Sequence, residues 1–367
     1  LRNLGASSAK SGKGLSNVGA SAQQAGKQLA VARTEMEEFG RISGLALRRY
    51  AGFTVATTIT FGFVRAVSGA IGEAIKFERE LIKISQVTGK TIDNLKGLTS
   101  EIGRLSTTLG VSSSELLEVS RVLAQTGLSA GEVQVALKAL AKASLAPTFK
   151  DMKNTAEGAI AALSQFGLKA RDMEQVLGSL NAVAGKFAVE AEDLVSVIRR
   201  TGGVFKAAAG DIGAPKQQLN ELIAIFTSVR ATTRESAESI ATGLRTIFTR
   251  IQRPSSIKFL RELGIQVQDL EGKFVGPFEA LNRLSRALKT LDPRDVRFAK
   301  IVEELGGFRQ VGKLIPAIQQ FGKAQEALKV AMQGQDSLAK DAAQAQKSLL
   351  IQAIKVREEF NKLFRTV

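Results

Sequence analysis

Glycines and helix-capping residues cut this chain into short segments with apolar side chains at helical spacing, and that division leaves little choice of fold. Thr91, with Asp93 in the turn after it, opens one segment that Gly110 closes. Ser129 before Glu132, Asp151 after Pro147, Asp172 after Gly167, Pro215 after Ala214 and Thr233 before Glu235 read as further starts. Gly127, Gly167, Gly185, Gly202, Gly203 and Gly210 read as stops. The intervals are roughly 12 to 18 residues, the length of ordinary globular helices. The pattern predicts a mainly all-α protein, an array of short antiparallel helical hairpins.

One stretch departs from helix. From Ala241 the pattern predicts an amphipathic helix stopped at Pro254, then a short helix ended by Gly264. A small β-hairpin near 265–275 follows, with strands Ile265 to Gln268 and Lys273 to Val275 about a turn at Asp269 to Gly272. Gly264, Ile265, Asp269 and Gly272 are its expected structural residues, and its role is expected to be architectural.

Longer helices flank this core. Residues 1–72 are expected to form a lead, rich in Gly, Ser and Ala, followed by an apolar helix. Within it, Leu29, Val31, Met36, Phe39, Ile42 and Leu45 mark a helical stripe. From Tyr50 to Val64 there is no charge until Arg65. That run is short of the roughly 20 apolar residues that cross a bilayer. It reads as a buried or interchain helix, with membrane insertion as the alternative, and Phe53, Ile59, Phe61 and Phe63 are its candidate contact residues. Residues 73–320 are the expected helical core, and 321–367 an Ala-, Gln- and Lys-rich helix for self-association, broken near Gly334. The chain opens on Leu1 and ends on Val367 within helical pattern, as a section of a longer polypeptide would. Leu1 to Gly40 shows no apolar run after a basic start, so no secretory leader is expected there.

An internal echo runs through the core. Val111 to Arg121 and Val189 to Arg199 match in Val, acid, Leu, Val and Arg at the same offsets, 189 − 111 = 78 residues apart. Thr155 to Ile160 resembles Ser236 to Ile240 more weakly. Two copies of a multi-helix unit would explain both.

The chain contains neither cysteine nor histidine. Disulfides, thiolate zinc sites, thiol nucleophiles and Ser-His-Asp triads are thereby excluded. No constellation of carboxylates, lysines or Tyr50 suggests other catalysis, and no catalytic residue, cofactor or metal is expected. The segment Gly307 to Leu314 has the Gly and Gly-Lys spacing of a phosphate loop, but Leu314 stands where Ser or Thr would hold magnesium, and no strand precedes it. It reads as a helix junction.

The 51 Lys and Arg exceed the 35 Asp and Glu, for a net charge of +16. Such a balance favours an anionic neighbour: nucleic acid, an anionic membrane or an acidic protein surface. The cations recur on nearly every expected helix. A nucleic-acid-packaging protein would gather them beside aromatic stacking residues, and aromatics are only 5% of this chain.

Taken in order, several motifs resemble one family. They are Phe77-Glu78 leading to Val87, Thr88 and Gly89; Leu105 to Gly110 followed by Ser112 to Leu116; and Thr155 to Glu157 followed by Phe166 to Leu168. Then come Ala241 to Leu244, Pro254, Leu263 to Ile265 and Asp269 to Gly272. Over about residues 70 to 330 this succession resembles the core region of phage tail tape measure proteins. The resemblance implies a virion structural protein, made in the host cytoplasm, that lies in the tail tube lumen. It would set tail length during assembly and leave ahead of the DNA at infection. Its implied partners are further copies of itself as a homotrimer and the tail tube and tail-tip proteins, with the host inner membrane and the DNA end as further candidates. Because a helix advances about 1.5 Å per residue, residue count can become length; the many stops make this section a folded domain rather than the ruler. A basic occupant suits an acidic lumen, and Arg245, Arg250, Arg253 and Arg261 are candidate contacts. The alternative reading is a membrane-active helical translocator or pore-forming protein.

Overall fold

The computed structural model describes residues 55–365. Helices account for the regular structure. The first, α1 (Val55–Thr88), is followed by a 3-10 turn at Ile92–Leu95 and by α2 (Lys96–Leu109), which ends on left-handed Gly110. Then come α3 (Ser113–Gln125), α4 (Ala130–Ala143), α5 (Met152–Phe166), α6 (Met173–Lys186) and α7 (Ala191–Ala209). The chain continues through α8 (Pro215–Thr233), α9 (Ala237–Ile251), α10 (Pro254–Glu262), α11 (Pro277–Leu288) and α12 (Val296–Gln319). It closes with α13 (Phe321–Gln333), a 3-10 turn at Gly334–Asp336, α14 (Ser337–Ala345) and α15 (Leu349–Lys362). Two compact units divide the chain: Glu80–Lys355 form one, and the residues on either side of that span the other.

The local chemistry explains the boundaries. Ser112, Asp151 and Ser236 each accept a bond from a backbone N–H of the first turn they precede. Ser129 and Glu132 close a reciprocal capping box. Pro215, Pro254 and Pro277 occupy the first helical position, where the missing N–H costs nothing.

Within Glu80–Lys355 the helices stand in two rows. Helices α3, α5, α7, α9 and α12 pack one against the next in the first row. The second runs α4, α6, α13, α8, so that α13, late in sequence, lies between two helices made long before it. The core is mainly aliphatic, with Leu116, Leu140, Leu177, Leu194, Leu222, Ile223 and Leu244 fully buried beside Phe166, Phe205, Phe226 and Phe248. Few aromatics are needed because small residues bring backbones together. A Cβ on Gly158 would overlap Val195, and one on Gly178 would lie 2.8 Å from the Gly334 carbonyl oxygen. Asn181 adds a buried polar tie, donating from Nδ2 to Ser337 Oγ and Asp341 Oδ2 at 2.6 Å each.

Several expectations need correction. Gly185 lies within α6, and Gly202 and Gly203 lie within α7. Gly202 serves packing rather than termination, because a Cβ there would overlap the Gln165 side chain across the helix contact. Thr233 ends α8 instead of starting the next helix, which Ser236 caps. The side chain of Asp295 caps α12, accepting from the Arg297 N–H.

The expected β-hairpin does not form strands. What remains is a single antiparallel bridge between Gln268 and Phe274, flanked by Asp269 N–H to Lys273 O at 2.8 Å and Val275 N–H to Val267 O at 3.1 Å. The ladder stops because Gly276 turns the backbone at φ 84° and Pro277, the next position that would donate, has no N–H and begins α11.

The 78-residue echo coincides with matched helix starts: the N-caps are Ser112 and Glu190, each preceded by a buried valine, Val111 or Val189. The weaker echo is out of register, since Thr155 lies inside α5 whereas Ser236 is a cap. The expected lead, the stripe from Leu29 to Leu45 and Phe53 lie outside the described residues. Ile59, Phe61 and Phe63 fall on α1.

Candidate functional site

The region from α9 to α12 is where sequence reading placed both the architectural turn and the candidate cations. Helix α9 buries Ile240, Leu244, Ile247, Phe248 and Ile251 along one side. Phe248 meets Phe205 of α7 edge-on, with ring centroids 5.1 Å apart. The opposite side carries Thr242, Arg245 and Thr249 into solvent. Gly243 admits α12: a Cβ there would sit 2.7 Å from Gln310 Oε1 and 2.9 Å from Lys313 Cγ. Lys313 reaches Glu235 at 2.7 Å, and that bond, with help from Ser239, lowers the Glu235 carboxyl below its ordinary pKa.

The four candidate arginines divide into two kinds. Arg245 and Arg253 are exposed, and their guanidinium groups make no hydrogen bond or ion pair among the described residues. Arg250 is engaged: its Nη1 donates to the carbonyl oxygens of Glu303 and Glu304, each at 3.3 Å. Those carbonyls end the first half of α12, which breaks at Gly307 with φ 61° and ψ 173°. Arg250 therefore caps a helix C-terminus, a place where a cation also meets the negative end of the helix dipole. Arg261 donates from Nη2 to Gln268 Oε1 at 2.7 Å and so braces the turn.

The turn is held by its own acid. Gly264 has φ 78°, and Ile265 N–H returns to Leu260 O at 2.8 Å to close α10. Asp269 Oδ1 accepts from the N–H groups of Glu271 at 3.0 Å and Lys273 at 2.8 Å, while Gly272 takes φ 80°. Asp269 is thus occupied with backbone. Leu270 stands fully exposed at the tip. Sequence reading missed Arg283 of α11, whose Nη1 donates to Gln266 O at 2.9 Å and Gln268 O at 3.2 Å, fixing the turn to the next helix. A pattern search could not single out one arginine among so many on exposed helix faces.

Elsewhere, a polar cavity of about 560 Å³ opens between α5, α7 and α9, lined in part by Asn154, Asp193, Ser196, Arg199 and Glu238. Several of its groups already pair with the protein: Arg199 with Glu157 at 3.2 Å, Asp193 with Arg230 at 2.9 Å, and Ser196 with Glu238 at 3.2 Å. Among the described residues no group of three or more Asp, Glu, His or Cys is placed to hold a metal ion, and no helix is long and apolar enough to cross a membrane.

What this region offers is packing, turn geometry and exposed cations, among them Arg245 and Arg253. No solved structure matches the chain. The model of the family described as phage-related minor tail protein matches residues 99–307, which takes in the helices from α3 to the first half of α12 and leaves out α13 of the second row. A match over more than half of the 367 residues makes this chain a member of the phage-related minor tail protein family.

Proposed function

We propose that this member of the family is a section of a tape measure protein. In this reading it has no catalytic role, lies in the lumen of the tail tube as further copies assemble beside it into a homotrimer, and leaves ahead of the DNA at infection. The observation that carries the reading is the ordered set of motifs from Phe77 to Gly272, most of which fall within the family match. The charge of +16 supports it, because an acidic tube wall would hold such an occupant by many weak, salt-screened contacts. Arg245 and Arg253, exposed and unpaired, are the cations of the central region best suited to that contact. Arg250 and Arg261 are engaged within the chain and contribute less. Tail tube and tail-tip proteins are the proposed partners, and the inner membrane and the DNA end are the proposed neighbours at ejection.

The folded rows cannot themselves convert residue number into length, so the ruler lies in extended helix beyond them. The test is made in the virion. An in-frame helical insertion of about 60 residues outside the folded core should lengthen tails by about 90 Å, at about 1.5 Å per residue. Electron micrographs of purified tails measure it. Tails of unchanged length would overturn the tape measure reading and leave membership of the tail protein family intact.

A further inference from the structure

We propose that a two-part groove beside α13 binds a short acidic peptide segment of another protein, taking a large apolar side chain in one part and a neighbouring carboxylate in the other. The inference goes beyond the tape measure reading and does not depend on it.

The polar part is marked by Asn220. Gln218, Thr227 and Ser228, buried on the same helix α8, each donate to a backbone carbonyl oxygen. Asn220 is only 8% exposed, yet its carboxamide makes no hydrogen bond among the described residues. Buried polar groups are almost always bonded, so an amide left over points to something that comes to it. It lines a hollow of about 210 Å³ between α6, α8 and the end of α13, together with Ser179, Lys216 and Gln335. Water alone can serve such an amide. The surface next to it is one that water does not favour.

Phe278 of α11 with Leu328 and Met332 of α13 line a second hollow, of about 470 Å³, and Met332 lines both. Its walls are built independently of any occupant. The Phe278 ring rests on Phe321 with centroids 4.9 Å apart, and Gln325 Nε2 ties the two helices by donating to Asn282 Oδ1 at 3.4 Å. Met332 is 49% exposed, whereas Met152 and Met173 are buried. A flexible thioether at the junction of the two hollows adapts to the shape of what enters.

Charge and hydrogen bonding select the occupant. The charged side chains lining the two hollows are Lys216 and Lys329, and no carboxylate lines either. Lys216 donates to Gln175 Oε1 and lies 3.7 Å from Asp172, while the Lys329 ammonium makes no hydrogen bond or ion pair among the described residues. On a chain of net charge +16 this lining favours an anionic guest, and the Asn220 amide supplies N–H donors for its carboxylate. Gln325, Gln333 and Gln335 add carboxamides along the rim. A peptide backbone uses both the donors and the acceptors of such groups, which the hydrocarbon tail of a fatty acid does not.

The probe is a random library of short peptides offered to the immobilised full chain, with sequences that the Met332→Asp variant also retains discarded. The sequences left should pair a leucine or an aromatic residue with a nearby Asp or Glu. Asn220→Leu keeps the size of the side chain and removes its polarity. It should weaken the selected peptides by about tenfold and leave the melting temperature equal or higher, because no bond within the chain is lost. Lys329→Glu, at an exposed position, should weaken them at low salt and much less at high salt. Retention of no sequence, or of sequences rich in Lys and Arg, would overturn the proposal. A lower melting temperature of Asn220→Leu with unchanged affinity would make Asn220 a structural residue and overturn the polar half of the groove. Binding of decanoate where no peptide is retained would reassign the groove to a fatty acid.

Discussion

Small side chains at a few positions decide how closely the helices of this protein approach. Gly178 is one: a Cβ there would press on the carbonyl oxygens of Gly334 at 2.8 Å and Gln335 at 2.9 Å, backbone atoms that cannot swing aside. Gly178→Ala should therefore destabilise the chain by about 1–3 kcal/mol despite the better helix propensity of alanine. Gly185, on the same helix, has nothing within 4 Å of its added Cβ. Gly185→Ala should be neutral or stabilising by up to about 1 kcal/mol. Urea unfolding of the two variants side by side checks the contrast. That contrast also marks what sequence reading can and cannot see. Gly167 and Gly110 were legible as stops because each follows a completed apolar stripe and adopts the left-handed conformation. Gly202 carries the same letter for a different reason, and the Gln165 side chain that excludes a Cβ there comes from another helix.

At the scale of elements, caps were the legible part. Ser129 with Glu132, Asp151 and Pro215 each act within four residues of themselves, so the sequence around them contains the whole interaction. The break in α12 is different. Gly307 takes φ 61° and ψ 173°, a region open essentially to glycine alone, and the helix end it creates is capped by Arg250, more than fifty residues earlier. Gly307→Ala should cost about 1–3 kcal/mol, and Arg250→Ala about 1–2 kcal/mol through the lost bonds to two carbonyls. If the two act on one helix end, the double variant should lose less than the sum, which a double-mutant cycle in urea reads directly.

The contact between α8 and α11 yields a pH dependence. Burial raises the pKa of the Glu221 carboxyl from its ordinary 4.5, the nearby Glu279 raises it further, and a bond from Gln217 offsets part of the rise. A raised carboxyl pKa favours the protonated form in the folded chain. Its contribution is therefore most favourable below the ordinary value and is lost as pH rises from there through the folded value. Glu221→Gln should raise the urea midpoint at pH 7 and leave it nearly unchanged at pH 4. An equal shift at both values would mean that the carboxyl's charge is not the cause.

On the scale of the whole molecule, the arrangement least legible in sequence is the place of α13 in the second row. The apolar spacing of Phe321, Ala324, Ala327 and Ala331 indicates a helical stripe, but nothing local says what it faces. In the structure all four are buried, and the helix lies between α6 and α8, where alanines let three backbones crowd together. Ser179 Oγ donates to Ala331 O at 2.8 Å across this contact. The first row and the order α3 to α9 follow from consecutive hairpins, whereas this insertion is a long-range event that only the finished packing defines. It makes α13 a keystone: without it, the apolar sides of α6 and α8 that it covers would lie open to water. A chain ending at Gln320 should lose more helical signal than its missing residues account for, bind a hydrophobic dye and unfold without a sharp transition. Circular dichroism and urea titration measure it. Retention of a sharp transition at the wild-type midpoint would instead show that α3 to α12 close on themselves and that α13 merely covers a finished core.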